Sequence, residues 1–216
     1  GRDIFYDQKN RYNLQIRKTI ETILETYQGD KNEDNYKKFV VYAKRFFFSN
    51  GIHHHYSTDK MIPEFDPAFL DTLISKSDFN KMPNEGKNIE EYIAFLKPIL
   101  FDPKIDAKGV SLAADADNVK ASSSNLYEGV TQKEVEQFYK SKIQPGVKEQ
   151  PSWGLNSKVV KINGKVEEQV WKSGGMYGAA IDKIIYWLEK AVTVAENDAQ
   201  KATLEALVKF YKTGNL

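Results

Sequence analysis

Cysteine is absent from the 216-residue chain, and histidine occurs only three times. The missing thiols exclude thiol catalysis, cysteine-based zinc sites and a disulfide framework together. They fit a reducing compartment, so the cytoplasm is the expected location. No run of about 18 apolar residues is present, so no bilayer-spanning helix and no membrane partner are expected. A surplus of either charge is missing as well: 31 Lys and Arg face 30 Asp and Glu, a formal net charge of +1. That balance argues against nucleic acid as a partner held by bulk electrostatics. The start, Gly1-Arg2-Asp3-Ile4, has neither an initiating Met nor a signal-peptide core and reads as a cut end.

Apolar spacing is abundant. Apolar residues make up 41% of the chain. A chain of this length buries roughly 70% of the surface its unfolded form exposes, so it needs no staple. From Gln8 to Tyr27 the stripe Ile16, Ile20, Ile23, Leu24 and Tyr27 predicts one helix, ended by Gly29. A second helix, Asp34 to Ser49, turns Tyr36, Phe39, Val40, Ala43, Phe46 and Phe47 inward and is capped by Asn50-Gly51, while Phe48 falls off the stripe. Asp66-Pro67 opens a short helix through Ser75. Asn88 with Glu91 predicts a capping box for a helix that Pro98 should end or kink.

Residues 101–128 lack periodicity and read as loop with one short strand near Val110. Thr131 and Glu134 form a second capping box, for a helix that stops before Pro145-Gly146. Leu155 to Ile162 and Lys165 to Trp171 flank Asn163-Gly164, the pair that a type I′ hairpin turn favours. After Gly174-Gly175 come two helices, Tyr177 to Ala195 and one capped by Asn197 with Gln200 that ends at Gly214. The expectation is an α+β chain, mainly helical, with helices packed around a small β-sheet or β-barrel and residues 1–216 forming a single domain.

The histidines lie together at His53, His54 and His55, and no His-Glu pair exists, so a zinc-peptidase helix cannot be built here. On an extended segment His53 and His55 project to one side and would offer a metal two ligands, with a third not apparent. The bland reading is a loop whose imidazoles cap backbone groups or line a cleft. A Ser/His/Asp triad would have to draw on the same triplet, but no G-x-S-x-G elbow accompanies it, and Ser122-Ser123-Ser124 reads as solvated loop. Gly174-Gly175 lacks the spacing of a phosphate-binding loop. Glu167 and Glu168 point to opposite faces of a strand and are no catalytic pair. Tyr56, Trp153 and Trp171 fall in or near turns and strands, where amphipathic rings either line grooves or pack at a rim.

Two long segments carry a resemblance. Tyr36 to Phe65, YKKFVVYAKRFFFSNGIHHHYSTDKMIPEF, resembles a stretch of the dipeptidyl peptidase III family of zinc exopeptidases through Val41-Tyr42-Ala43, Ser49-Asn50-Gly51, Tyr56, Lys60 and Pro63. Gly175 to Leu216 resembles the family's paired helices, with Tyr177 and Ile181 at the start, L-E-K-A at Leu188, a break at Ala195 to Asn197 and a close on Phe210 and Gly214. The two matches keep the family's order, and the His triplet is closer to bacterial members than to animal ones.

The resemblance implies one lobe of a two-lobed enzyme that removes dipeptides from the N-terminus of short peptides. This is the lobe without zinc, built on a small β-barrel wrapped in helices. The family's zinc helix, H-E-x-x-G-H, and its second zinc motif match nothing in the sequence. The implied cofactor of the full-length enzyme is therefore zinc, with no ligand and no catalytic residue in this chain, which alone would be inactive. The implied partners are a short peptide substrate and the zinc lobe of the same polypeptide. The aromatic residue after the S-N-G loop contacts peptide in the family. The matching position is Tyr56, where animal members carry Phe, with Asn50 and the histidines at the cleft edge. The alternative is a stand-alone helical module that binds peptides or proteins without catalysis. A lobe is expected to expose an apolar face, sought at Phe47, Phe48 and the Tyr177–Ala195 helix.

Overall fold

The stripe at Ile16, Ile20 and Ile23 does form a helix, but in the computed structural model, which describes residues 1–215, that helix starts at Asn13. A separate helix precedes it: α1 is Arg2–Lys9 and α2 is Asn13–Thr26. Asn10 makes the break. Its Oδ1 accepts the Tyr12 N–H at 2.9 Å, a local bond that competes with helix propagation. Its Nδ2 donates to Asp106 Oδ2 at 2.8 Å and to Ser123 O at 3.2 Å. Periodicity runs straight across this residue because the competing partners lie about a hundred positions away.

The chain divides into two compact units, Arg2–Asn125 and Leu126–Leu216, both inside the span expected as one domain. In the first, α1 and α2 are followed by α3 (Asp34–Ser49), α4 (Phe69–Ser75), a 3-10 turn at Phe79–Lys81, α5 (Ile89–Phe101) and α6 (Asn118–Ala121). Its core is helix on helix: Ile16, Ile20 and Ile23 meet Phe39, Tyr42 and Phe46, with Leu96 and Leu100 completing the contact. The Asn88–Glu91 capping box is made on both sides. Pro98 does not end α5, which continues to Phe101. An interior proline costs about 3 kcal/mol, whereas burying Ile99 and Leu100 together returns roughly 3–6 kcal/mol, so packing wins. Asp66 takes the Ala68 N–H on its side chain and the Phe69 N–H on its carbonyl, so the capping turn sits ahead of α4 and the helix starts two residues later than Pro67 suggests.

The second unit holds β1 (Tyr127–Glu128), α7 (Gln132–Lys140), β2 (Ser157–Ile162), β3 (Lys165–Val170), α8 (Gly178–Val192) and α9 (Asp198–Thr213). The strand expected near Val110 is not formed; the short strand lies at Tyr127–Glu128. The sheet order is β1-β2-β3, with β1 parallel to β2 (Tyr127 opposite Val159) and β3 antiparallel to it (Val160 opposite Glu167). The predicted hairpin is present, turning at Asn163 (φ 50°) and Gly164 (φ 81°). Among the described residues it belongs to an open three-stranded sheet with β1 and β3 as edges, not to a closed barrel.

Glu167 and Glu168 do face opposite sides. Glu168 accepts hydrogen bonds from Ser157 Oγ (2.5 Å) and Tyr139 Oη (3.2 Å) and pairs with Lys142, tying α7 to the sheet. Burial opposes its ionisation, but Lys142 and Ser157 overcome this and hold the carboxyl below its ordinary range. Burial pushes the neighbouring Tyr139 phenol up to about 12. Ile181, Ile185 and Val208 form a second small core between α8 and α9. The whole is a helical α+β fold, 49% helix with a small mixed sheet. Among the described residues no helix is long and apolar enough to cross a membrane.

Replacing Asn10 by Ala removes three hydrogen bonds from a fully buried site and strands the Tyr12 N–H and the Ser123 carbonyl. Urea unfolding of the Asn10→Ala chain should show a loss of about 3 kcal/mol; a loss under about 1 kcal/mol would mean that Asn10 does not hold the break.

Candidate functional site

The site begins where α3 ends. Asn50 takes the left-handed conformation (φ 54°), and the Gly51 N–H returns to Phe46 O at 3.0 Å. Only glycine fits next. Gly51 has φ +143°, and a Cβ there would lie 2.2 Å from Asn13 Nδ2. Asn13, buried in the first turn of α2, accepts the Ile52 N–H on Oδ1 at 3.0 Å, while Lys9 donates to Ser49 O at 2.6 Å. The two N-terminal helices thus fix the base of the next loop.

From Ile52 the chain runs out and back. Met61 N–H bonds Ile52 O, His53 pairs antiparallel with Lys60, and the His54 N–H bonds Asp59 O. Residues 107–110 flank the return: the Lys60 N–H donates to Ala107 O, the Gly109 N–H to Thr58 O, and Thr58 Oγ1 to Val110 O. Lys108 pairs with Asp59 at 2.5 Å. Residues near Val110 therefore lie in a ladder of isolated contacts beside the loop, which accounts for the strand-like signal there.

The three histidines have three different surroundings. His53 is buried, and its Nε2 lies 2.7 Å from Asp106 O and 3.2 Å from Ser123 Oγ. The Ser123 hydroxyl donates to Lys108 O at 2.9 Å. The network assigns the proton to His53 Nε2, which donates to Asp106 O and toward Ser123 Oγ. Structure thus brings a serine, a histidine and an aspartate together, but not as a triad: the nitrogen facing the hydroxyl carries a proton and cannot act as its base. Ser123 is therefore a ligand of the buried frame and not solvated loop. His54 Nδ1 accepts the Tyr56 and Ser57 N–H groups at 3.3 and 3.4 Å, capping the loop tip. His55 lies between Phe48 (centroids 4.7 Å, 85°) and Tyr56 (4.1 Å, 46°), with a buried Nδ1 that meets no described partner.

Tyr56 sits at the tip, 84% exposed, and Asn50 at the base of the same loop. Phe48 is 72% exposed, whereas Phe47 packs against the core, so only one of the two phenylalanines belongs to an exposed face. On α8, Ile184, Tyr186 and Trp187 are exposed, as is Val194 just beyond it. Trp171 is half-buried, packing on Tyr177 against the small core of that unit. The Phe48–His55–Tyr56 stack escapes sequence reasoning because α3's stripe gives Phe48 no role and the loop conformation, not spacing, brings the rings together.

A zinc ion does not fit these residues. His53 Nε2 is committed to a carbonyl, His54 Nδ1 to two backbone N–H groups, and among the described residues no group of three or more His, Asp or Glu is placed to hold a metal. No protein-family model matches the chain, and no curated protein matches it.

Burial holds the His53 pKa below 6.5, aided by the nearby Lys60 and Lys9 ammonium groups and opposed by the bond to Asp106. The unfolded chain takes up this proton near 6.5 and the folded chain only at lower pH. The contribution is therefore complete above pH 6.5 and is lost as pH falls below it. The slope approaches about 1.4 kcal/mol per pH unit. Stability measured from pH 7 to 5 should fall, and His53→Gln, which keeps a donor for Asp106 O but does not titrate, should flatten the profile. An unchanged slope would show that His53 is not the responsible group.

Proposed function

We propose that this chain is the peptide-contacting, zinc-free lobe of a dipeptidyl peptidase of the dipeptidyl peptidase III kind, with Tyr56 as its principal contact to the peptide. One observation carries the reading: a tyrosine ring 84% exposed at the tip of a loop whose base is buried and anchored by hydrogen bonds to Asn13 and Asp106. A large ring held in water by a rigid frame keeps its apolar area and its hydroxyl available, and little entropy is lost when a ligand covers it. Phe48 and His55 extend the platform, which suits an apolar peptide side chain, and the Tyr56 hydroxyl suits a backbone carbonyl or N–H. Asn50 acts at the loop base through its backbone conformation.

The resemblance of Tyr36–Phe65 and Gly175–Leu216 to the family supports the same reading, as do the exposed Ile184, Tyr186 and Trp187 on α8, which suit a chain working against further protein. In such an enzyme the zinc and the proton-transfer groups come from the other lobe, and this chain binds and orients the peptide. The absence of cysteine supports a cytoplasmic site of action.

The test is a titration of the isotopically labelled 216-residue chain with an apolar tetrapeptide, followed by NMR. Shifts should centre on Phe48 and residues 53–58. Tyr56→Ala should weaken binding at least about tenfold, and Tyr56→Phe by no more than about threefold. Shifts centred elsewhere, or an unaltered affinity in Tyr56→Ala, would remove Tyr56 from the site. Turnover of a dipeptidyl arylamide by this chain with added zinc would overturn the assignment of the catalytic groups to another lobe.

A further inference from the structure

Two Asn-Gly dipeptides occur in the chain, and the fold treats them in opposite ways. Asn-Gly is the pair in which a backbone can attack its own side chain. The glycine nitrogen bonds to the asparagine Cγ, the side-chain nitrogen leaves as ammonia, and a five-membered succinimide forms. Water then opens that ring at either carbonyl, leaving aspartate or, with the main chain rerouted through the side chain, isoaspartate. Glycine favours the attack because no side chain crowds its nitrogen. The geometry around the nitrogen decides which of the two pairs reacts.

At Asn50-Gly51 the nitrogen is occupied. The Gly51 N–H donates to Phe46 O at 3.0 Å, Gly51 is buried, and the Asn13 side chain fills the space beside it. At Asn163-Gly164 both residues are exposed at the hairpin tip, and the Gly164 N–H donates to no described residue. A Cβ built on Gly164 would meet nothing within 4 Å. Beyond the Ile162–Lys165 pair that closes the turn, only solvent surrounds the peptide there.

We infer that Asn163 is the site of spontaneous deamidation in this chain and that Asn50 is protected by the cap it forms. The products place a new carboxylate between Lys161 and Lys165. The isoaspartate form also adds a backbone atom to a two-residue turn that sets the β2–β3 register. Among the described residues β3 is an edge strand paired to β2 alone, so no third strand flanks the Ile162–Lys165 end of the hairpin, where Lys161 is tied to Glu134 of α7. This inference is independent of the peptidase reading.

The experiment ages the purified 216-residue chain in warm, mildly alkaline buffer and follows it by peptide mapping with mass spectrometry. The Asn163 peptide should convert from amide to acid, split between aspartate and isoaspartate, at least about tenfold faster than the Asn50 peptide. Gly51 must first break a buried hydrogen bond, and about 1.4 kcal/mol of added barrier is a factor of ten. Asn163→Gln should abolish most of the ammonia released by the whole chain. Equal rates at the two sites, faster reaction at Asn50, or unchanged ammonia release in Asn163→Gln would each overturn the inference.

Discussion

The first unit depends on Asp106. Its carboxylate takes the Asn10 amide at 2.8 Å, and its carbonyl takes the buried His53 ring at 2.7 Å. Lys60, from the same loop as His53, bonds the Asp102 and Ile105 carbonyls just ahead of it. One short stretch, Asp102 to Asp106, therefore terminates α1, anchors the loop after α3 and presents the open carbonyls after α5 to the Lys60 ammonium. Such bonds are individually worth about 1 kcal/mol net, but each buried partner left alone costs about 1–3 kcal/mol. Their removal is felt as a set. Asp106 itself adopts positive φ (49°), a conformation that costs little for aspartate when its side chain is held.

That frame explains why exposure at the loop tip is tolerated. A ring in water forfeits its burial energy, roughly 2 kcal/mol or more for an aromatic. Tyr56 is nevertheless held out because the chain on either side has no freedom to fold it back. Ile52 is fixed by Asn13, His54 by Asp59, and Thr58 by Gly109 and Val110. His54 closes the tip by accepting two backbone N–H groups, and Thr58 takes the left-handed conformation there (φ 58°) with its hydroxyl bonded to Val110 O. The His55 ring lies tilted against it at 4.1 Å, and Phe48 meets His55 edge-on, contacts that orient the tyrosine ring without burying it.

What was legible in the sequence was local. Both capping boxes, the Asn163-Gly164 turn, the α3 stripe and its Asn50-Gly51 cap all depend on residues within four or five positions of one another, and all are present as read. The failures are long-range. The break at Asn10 depends on residues 96 and 113 positions away, and the contact of His53 with Ser123 spans 70. Pro98 does not end α5, because local propensity ignores the burial that carries the helix through it. Phe48 is exposed as the sequence suggests, but its contact with His55 is out of reach of helical spacing, because a loop reversal brings that ring to it. The tip and base of the loop, Tyr56 and Asn50, were located by resemblance, and periodicity alone offered no means of separating them from their neighbours.

Histidine is scarce in this chain, and each of its three rings is already engaged. General-base chemistry near neutral pH falls mainly to imidazole, and all three rings have structural surroundings. His53 is neutral, buried and proton-bearing on the one nitrogen that meets a hydroxyl; His54 is an acceptor for the backbone; His55 is wedged between two aromatic rings. The half-buried carboxylate of Glu168 is engaged as well: Lys142, Ser157 and Tyr139 all direct protons at it and hold it ionised as a structural tie. Carboxylates raised toward neutrality by burial serve as catalytic acids and bases, and this one is shifted the other way. The loop thus joins an ordered backbone to exposed rings, while its imidazoles and the Glu168 carboxylate are engaged in structural contacts.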